Sequence, residues 1–240
     1  MLERIMPNGR AHLMVNLAED EFRTYGVAHA EQVSRHSGVV VTGPHAKSLV
    51  IDTGAQRWVA AVEFRHGGAS QFFVMPMTEI SNQVVGLQDV WRKDGTLLRE
   101  QLLDARTPAS KFRVLEEVLL DHLRAEFDPA IRYAVTALRA GLQVSQVALG
   151  LGLSPRTLER RFSSQVGISP KRFARVHRLQ KVLRDVRRSS KPDWCELAAE
   201  HGFTDQAHLI HDFRDLADIT PSEYKPYSQQ RNNHIPIVAL

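Results

Sequence analysis

Residues 147–170 read VALGLGLSPRTLERRFSSQVGISP, and residues 197–221 read LAAEHGFTDQAHLIHDFRDLADITP. The two stretches carry one pattern, with alanine, glycine, leucine, phenylalanine and proline at matched positions. Ala148 and Ala198 lie fifty positions apart, and each precedes a glycine by four positions. Leucine to phenylalanine is four positions and phenylalanine to proline is eight in both copies. An internal repeat of this kind indicates one supersecondary unit used twice.

Each copy has the spacing of two short helices joined by a tight turn. Alanine in the first helix allows the second to pack closely, and glycine in the turn can adopt a backbone conformation that other residues avoid. Ser154 followed by Pro155 is typical of a helix start, and Thr204 or Asp205 can begin the second helix of the later copy. Apolar residues at helical spacing predict one buried stripe per unit: Leu158, Phe162 and Val166, and Leu209, Phe213 and Leu216.

The face opposite each stripe is predicted to point outward. At ~100° per residue, this face carries Arg156, Arg160 and Ser163 in the first copy, and Ala207, His211 and Arg214 in the second. In a DNA-binding helix-turn-helix, the N-terminal half of that face enters the major groove. One copy alone is equally typical of a plain helical hairpin, whereas two matched copies joined by a basic segment favour DNA binding.

Residues 144–224 resemble the DNA-binding domain of the AraC/XylS family of bacterial transcription regulators. The second copy carries the resemblance most closely, through residues 202–209 (GFTDQAHL), Phe213 and residues 220–224 (TPSEY). The resemblance implies two helix-turn-helix units joined by a long helix, and regulation of promoters through binding to double-stranded DNA. It places the contacts to DNA at eight positions: Arg156, Thr157, Glu159, Arg160, Gln206, Ala207, His208 and His211.

Two positions depart from the family pattern, and both lie in the second copy. Position 211 is often basic in the family and is His211 here, and Asp218 stands where a glycine is common before Ile-Thr-Pro. These departures predict a weaker contact to DNA by the second unit.

Positive charge is concentrated around the repeat. The chain has a net charge of +4, yet residues 128–240 hold 17 Lys/Arg against 11 Asp/Glu, and residues 155–191 hold twelve basic residues against Glu159 and Asp185. A polyphosphate partner explains such a distribution, because each neutralised phosphate releases condensed counterions. A solvated basic helix face is the alternative.

The segment between the two copies is predicted to form one long helix over residues 169–188. About 20 residues span roughly 30 Å, close to the ~34 Å of one DNA turn, so both recognition helices could enter successive major grooves. Its apolar stripe is Phe173, Val176, Leu179, Leu183 and Val186. Among its basic residues, we predict phosphate contacts by Lys171, Arg172 and Arg175.

The first 76 residues show short strand-like runs separated by turn signals. The predicted strands are residues 12–17, 38–42, 48–52, 58–64 and 71–74. This spacing is typical of a small antiparallel sheet or barrel, and the family resemblance implies a cupin-like sensing domain here. Because the segment begins abruptly, we expect that one or two family strands are missing or that the true start lies upstream.

Helical patterns follow this β-rich segment. They predict helices over residues 84–91, 96–105 and 110–124, which either cap the sheet of their own domain or form a dimer seam. A proline after acidic residues at 126–129 marks a boundary, and residues 129–140 begin an all-helical domain. The predicted fold is α+β with two domains. Residues 1–126 are β-rich then helical, for sensing or dimerisation, and residues 127–228 hold two helix-turn-helix units joined by a long helix. Residues 229–240 are a polar tail, and residues 228–233 are expected to be mobile.

Composition predicts a cytoplasmic protein, and the family resemblance implies association with the bacterial nucleoid. Cys195 is the one cysteine, so no intramolecular disulfide forms, which fits a reducing compartment. No apolar run reaches the ~18 residues of a membrane span, and no signal peptide is recognised. The expected partner is double-stranded DNA, and RNA polymerase, a small-molecule effector and a second copy of the chain are further candidate partners.

Other chemistry receives little support from the sequence. His208 and His211 are three apart on one predicted helix, but no third ligand lies nearby, so neither a metal nor a cofactor is predicted. Five aromatic residues are either core or the lining of an effector pocket: Trp58, Phe64, Phe72, Phe73 and Trp91.

We therefore predict a sequence-specific transcription regulator and no enzyme, with Arg156 and Arg160 reading guanine edges. One alternative is a nonspecific architectural DNA-binding protein. Another is an enzyme domain fused to a DNA-binding domain, although the fused alkyl-transfer domains of some relatives use reactive cysteines, and the only cysteine here lies in the helix-turn-helix region. The N-terminal domain could also dimerise without sensing a ligand.

Overall fold

The structure is a computed structural model that describes residues 1–26, 32–124, 126–186, 192–228 and 231–237. The strands within these ranges are β1 (Leu2–Ile5), β2 (His12–Asn16), β3 (Glu21–Tyr25), β4 (Val33–Ser37), β5 (Val39–Thr42), β6 (Leu49–Asp52), β7 (Val59–Glu63), β8 (Val84–Gly86) and β9 (His234–Pro236). The helices are α1 (Leu87–Trp91), α2 (Lys93–Asp104), α3 (Pro108–His122), α4 (Pro129–Ala140), α5 (Val144–Gly150), α6 (Pro155–Val166), α7 (Pro170–Val186), α8 (Trp194–Glu200) and α9 (Gln206–Ala217). This order confirms a β-rich first domain followed by helices, and then an all-helical domain with two helix-turn-helix units.

The N-terminal domain contains two antiparallel sheets, with strand orders β4-β3-β6-β1-β9 and β7-β2-β5-β8. Alternation along β2 gives the second sheet two different faces. Leu13 and Val15 share a buried core with residues of α1, α2 and α3, whereas His12 and Met14 line a cavity between the two sheets. The helices therefore cap the sheet of their own domain, which was one of the two predicted arrangements.

Several strand predictions need correction. The predicted strand at residues 71–74 is wrong, because Gly68–Gln71 forms a 3-10 helix and a turn follows it. The predicted helix at 84–91 begins with the three residues of β8. Strands β1, β3 and β4 were not predicted from the sequence. In β3 only Phe22 is buried, and β4 is a polar edge strand, so neither shows the apolar alternation of a half-buried strand.

The two helix-turn-helix units are α5–α6 and α8–α9, as the repeat predicts. Both predicted stripes are completely buried, and both helix pairs share one core with α4 and α7. Gly152 and Gly202 hold φ angles of 63° and 71°, and a Cβ on either would meet no atom within 4 Å. Backbone conformation, and not crowding, therefore requires glycine in these turns.

The linker helix α7 runs for 17 residues, about 25 Å at 1.5 Å per residue. Positions 187 and 188 of the predicted helix lie outside the described residues. The predicted apolar stripe is confirmed, because all five of its side chains are buried. The opposite face of α7 is basic and makes ion pairs with α9.

An ion network joins α7 to α9. The Asp212 side chain is 1% exposed, and its Oδ1 lies 2.7 Å from Arg175 Nη2 while its Oδ2 lies 3.2 Å from Arg178 Nη2. Asp215 pairs with Arg172 and with Arg175. Burial alone would raise the pKa of Asp215, but the two arginines hold it below its ordinary value. This network fixes the second recognition helix on the linker.

The N-terminal domain packs against the helix-turn-helix domain. Met6, Ala46 and Ile235 belong to the apolar core of the helical domain. The Ser48 amide donates a hydrogen bond to the carbonyl of Leu216 at 2.8 Å. Gly167 of the helical domain lies so close to Pro44 that a Cβ on it would be 2.7 Å from Pro44 Cγ. The two domains thus share an interface that is both apolar and hydrogen-bonded.

Asp218, one of the two departures from the family pattern, lies in this interface. Its φ of 56° is in the left-handed region, where the first copy has Gly167 at 87°. Aspartate tolerates this conformation better than most residues. Its Oδ2 accepts a hydrogen bond from Ser48 Oγ at 2.9 Å and lies 3.8 Å from Arg4 Nη1. The carboxylate therefore contributes a contact between domains that glycine could not make.

Part of the segment predicted as a polar tail is a strand. β9 pairs antiparallel with β1, and Ile235 at its centre is buried. His234 Nδ1 lies 2.7 Å from Oε2 of the buried Glu3. Polarity along the chain does not reveal this strand, because its backbone partners lie on the edge of the distant β1. Positions 229, 230 and 238–240 lie outside the described residues.

Replacement of two glycines of the helical domain is expected to lower the free energy of unfolding by different amounts. Gly152→Ala is expected to lower the free energy of unfolding by about 1 kcal/mol, because only the left-handed backbone is strained. Gly167→Ala combines the same strain with a clash against Pro44 Cγ and is expected to cost roughly 2–4 kcal/mol. Urea unfolding of both variants measures the difference, and equal losses would contradict the claimed contact between domains.

The ion network gives a second stability prediction. Asp212→Ala leaves Arg175 and Arg178 without their shared buried carboxylate and is expected to cost roughly 3 kcal/mol of unfolding free energy. The matched control is Glu200→Ala, an exposed carboxylate on α8, which should change stability by less than about 0.5 kcal/mol. If both variants unfold at the same urea concentration, the network does not stabilise the domain.

Candidate nucleic-acid interface

Local capping fixes the start of each recognition helix. Ser154 Oγ accepts a hydrogen bond from the Thr157 amide at 3.2 Å, as Ser154 was predicted to do. In the second unit the cap is Asp205, whose Oδ1 accepts from the His208 amide at 2.7 Å. Each cap accepts a hydrogen bond from an amide of the first turn, which fixes the residue at which the helix begins. The positions of the side chains in that first turn are fixed with it.

The first recognition helix, α6, presents a charged outer face. Arg156, Glu159 and Arg160 are exposed on its N-terminal half. Among the described residues, no carboxylate lies within ion-pair distance of Arg156 or Arg160. Thr157 is half-buried, and its Oγ1 lies 2.9 Å from Ser154 Oγ, so its hydroxyl belongs to the cap.

The second recognition helix, α9, presents a less charged face. Gln206, Ala207 and His211 are exposed. His208 is turned toward the turn of its own unit: its Nδ1 lies 3.4 Å from the Thr204 amide, and its ring packs edge-on against Phe203 at 5.2 Å between centroids. The structure thus brings three of the four positions of this unit to one outer face and directs His208 away from it.

The three arginine and lysine positions predicted to contact phosphate have different surroundings. Lys171 is exposed. Arg172 is paired with Asp215 and also donates to the Ala46 carbonyl at 3.1 Å, and Arg175 is paired with Asp212. The phosphate assignment does not fit Arg172 and Arg175, because the carboxylates of α9 neutralise and orient them. Sequence spacing gave their position on the basic face but not their partners.

A groove of about 970 Å³ lies between the end of α4, the linker helix and α9. The N-terminal residues of α5 line one side, including Ser145, and Lys171, Lys181 and His211 lie along the others. Basic side chains and a helix N-terminus are the groups that hold phosphate backbones. The sequence did not indicate this concave surface, because its walls come from helices far apart in the chain.

A second concave site lies between the two sheets of the N-terminal domain. Its volume is about 230 Å³, and most of its wall is apolar, including Met14, Phe22 and Val40. Burial lowers the pKa of both His12 and His45, which also line it, to about 4, and the charge of Arg10 adds to the effect on His12. Both imidazoles are therefore neutral at neutral pH and offer hydrogen bonds in an apolar cavity.

The five aromatic residues considered as a pocket lining lie elsewhere. Phe64, Phe73 and Trp91 are buried in the core between the second sheet and the helices. Phe72 packs against that core, and Trp58 is 68% exposed. The core interpretation is confirmed for the three buried rings, and none of the five lines the cavity between the sheets.

Comparison with known proteins separates the chain into two matched regions. Residues 147–226 match a family described as a helix-turn-helix domain, and residues 1–86 match a domain of unknown function. None of the described helices has the length and apolar character needed to cross a bilayer.

The relatives are named as operon regulators. The probable thc operon regulatory protein of Rhodococcus erythropolis is 30% identical over 99 residues, which are 39% of this chain and 30% of that protein. The xylose operon regulatory protein of Escherichia coli K12 is 26% identical over 136 residues, which are 55% of this chain and 34% of that protein. The chain thus spans about a third of the length of these relatives.

Among solved structures, ToxT from Vibrio cholerae is similar over 92% of both chains, with 10% identity and a TM-score of 0.49. The duplicated unit, its capped recognition helices and the match over residues 147–226 agree with the resemblance found in the sequence. Residues 147–226 thus form a helix-turn-helix domain similar to that of the AraC/XylS regulators.

Proposed function

We propose that this protein is a sequence-specific DNA-binding transcription regulator that places α6 and α9 in successive major grooves. The observation that carries the proposal is that Arg156 and Arg160 are exposed on the N-terminal half of α6 and form no ion pair with any residue that the structure describes. That half of a recognition helix is the part that reaches base edges. The packing of the N-terminal domain leaves these side chains exposed, so the intact chain presents them.

The two recognition helices differ in the base contacts that their exposed side chains can make. Arginine can donate two hydrogen bonds to O6 and N7 of guanine, and each such pair contributes about 1–3 kcal/mol of discrimination. At the corresponding positions of α9, Ala207 can only contact a thymine methyl group, and a neutral His211 has one donor. We therefore infer an asymmetric binding site, in which α6 supplies most of the guanine specificity.

Phosphate contacts are assigned to a smaller set of residues than the sequence suggested. Lys171 stays in that set because it is exposed beside the groove next to α9. The ion-paired Arg172 and Arg175 act through helix packing in this proposal. Gln206 and His211 remain proposed contacts of the second unit, and His208 supports the turn that precedes them.

Substitution of Arg156 tests the assignment of base readout. Arg156→Ala is expected to relax the preference at one or two base pairs, with a loss of about 1–3 kcal/mol on the preferred sequence and little change on others. Sites are first selected from random DNA with the wild-type protein, and affinities are then measured on every single-base variant of the selected site.

Lys171→Ala is the matched control for this experiment. It should weaken binding to all sequences about equally and reduce the salt slope by roughly one. If Arg156→Ala behaves like Lys171→Ala, Arg156 contacts phosphate and not a base. If the selection returns no preferred sequence, the protein is a nonspecific architectural binder.

The curated relatives are regulators and not enzymes, which favours regulation over the fused-enzyme alternative. The single cysteine, Cys195, is exposed on α8 within the second helix-turn-helix unit, and not packed as a small apolar side chain. Its position supports no alkyl-transfer centre in the N-terminal domain. RNA polymerase as a partner and a cytoplasmic, nucleoid-associated location are parts of the same proposal.

A homodimer is also part of the proposal. Helix α3 buries Leu115 in its own domain but exposes Phe112 and Leu120, at 67% and 61%. Exposed apolar side chains on one helix favour a contact with a second copy. The capping role of α3 and a dimer contact use different faces, so they are compatible.

We further propose that the N-terminal domain binds a small effector in the cavity between its sheets. A largely apolar wall with a few polar groups is typical of small-molecule sites. Its polar groups include His12, Thr42 and His45 and the cations Arg10, Arg23 and Lys47, and Ile5 and Leu49 are among the apolar residues. The volume of about 230 Å³ restricts the effector to a compact molecule.

The effector proposal can be tested by filling the cavity. A thermal-shift screen of small metabolites should give compounds that raise the melting temperature of the wild-type protein. Val40→Phe places a ring in the cavity and should abolish those shifts, whereas Val33→Phe, on the exposed edge strand β4, should retain them. Hits that stabilise both variants equally would place the effector site elsewhere.

A further inference from the structure

A second pocket, distinct from the cavity between the sheets, lies where the two domains meet. Its volume is about 250 Å³. The N-terminal domain contributes Asn8, Arg10, Glu63 and His66, the helical domain contributes Arg139, Phe173, Val176, His177, Gln180 and Arg184, and Asn233 completes the wall. Residues from distant parts of the chain thus enclose one small, mostly polar space.

The charges in this pocket are unbalanced. Three arginines line it, Arg10, Arg139 and Arg184, and Glu63 is its one carboxylate. Glu63 is paired with Arg10. Within the described parts of the chain, no carboxylate forms an ion pair with Arg139 or Arg184. The pocket therefore has an excess of two positive charges when its histidines are neutral.

Burial and the positive charge of this pocket lower the pKa of neighbouring groups. Burial, and then the charge of Arg139, lowers the pKa of Arg10. Burial also lowers the pKa of His66 and of His177 to about 4, and the arginines of the pocket add to the effect on both. Like charges brought together in a partly desolvated space are unfavourable unless an opposite charge joins them.

Hydrogen bonds hold the pocket walls in place. Arg139 Nε donates to His177 Nε2 at 2.9 Å, and His66 donates from Nε2 to the Asn8 carbonyl at 3.0 Å. Gln180 donates from Nε2 to the Pro7 carbonyl at 2.8 Å. These contacts join the loop before β2 to the end of α4 and to α7. A ligand would therefore meet arginines on walls that are already oriented.

We propose that this pocket binds a compact anion with at least two negative charges, of the phosphate or dicarboxylate class. Arginine pairs with carboxylate and phosphate oxygens through charge-assisted, often bidentate hydrogen bonds. The small volume and the polar wall exclude a long apolar chain. Because Arg10 belongs to the first domain and Arg139 and Arg184 to the second, the anion stabilises the contact between the domains and acts directly on the linker helix.

The site adjoins the proposed effector cavity, and Asn8 and Arg10 line both. The surface of the cavity between the sheets is mostly apolar and belongs to the N-terminal domain, whereas this pocket is basic and extends to Arg139 and Arg184 of the helical domain. A competing explanation is that Arg139 or Arg184 binds a phosphate of the DNA backbone and not a free anion. The two explanations predict different behaviour in the absence of DNA.

The experiment measures the binding of inorganic phosphate and of malonate to the full chain without DNA, at constant ionic strength with chloride as the reference anion. Isothermal titration calorimetry and the melting temperature should both show saturable binding of at least one of these probes to the wild-type protein. Arg139→Gln and Arg184→Gln should each weaken it by roughly tenfold, the loss expected for one charge-assisted hydrogen bond. The control is Arg113→Gln, an exposed arginine on α3 outside the pocket, which should bind like the wild type.

Two results would overturn the proposal. One is the absence of saturable binding by both probes, and the other is binding that Arg139→Gln and Arg184→Gln leave unchanged. If the two variants instead lose only affinity for DNA, whether or not phosphate is present, these arginines contact the DNA backbone. Either outcome leaves the proposed regulator function standing, because that function is tested separately through Arg156.

Discussion

Both helix-turn-helix units are positioned by their packing on the linker helix α7. Its apolar stripe enters the core shared by both helix-turn-helix units, and its basic face holds the carboxylates of α9. The buried Asp212 between Arg175 and Arg178 is costly to desolvate, and its two partners offset that cost only in one arrangement of the helices. A buried charge of this kind restricts the second recognition helix to one orientation on the linker. The first recognition helix packs on the same linker through apolar side chains, with Phe162 against Phe173.

This arrangement divides the basic residues of α7 into two groups. Arg172, Arg175 and Arg178 point to carboxylates or backbone carbonyls of the second unit, and their charge is largely compensated. Lys171 stays exposed, and Arg184 stays without a carboxylate partner among the described residues. A count of positive charge along the helix therefore overstates what is available to DNA.

The contact between domains places the N-terminal domain directly on this helix. The loop before β2 approaches α7 through the bond between Gln180 and the Pro7 carbonyl, and Asp218 joins the end of α9 to Ser48. A change in either proposed ligand site would thus reach the linker through packed, hydrogen-bonded groups. Two states of the interface, biased by the ligand, are the physical requirement for such regulation.

The duplicated helix-turn-helix units, their caps, their buried stripes and the exposure of Arg156 and Arg160 follow from the order of residues. Each depends on spacing within about ten residues, which the sequence contains directly. The partners of Arg172 and Arg175, the strand formed by His234–Pro236, and the pockets within and between the domains became visible only in the folded chain. Those features join residues far apart in the chain, and a side chain's charge or polarity does not specify which distant group it will meet.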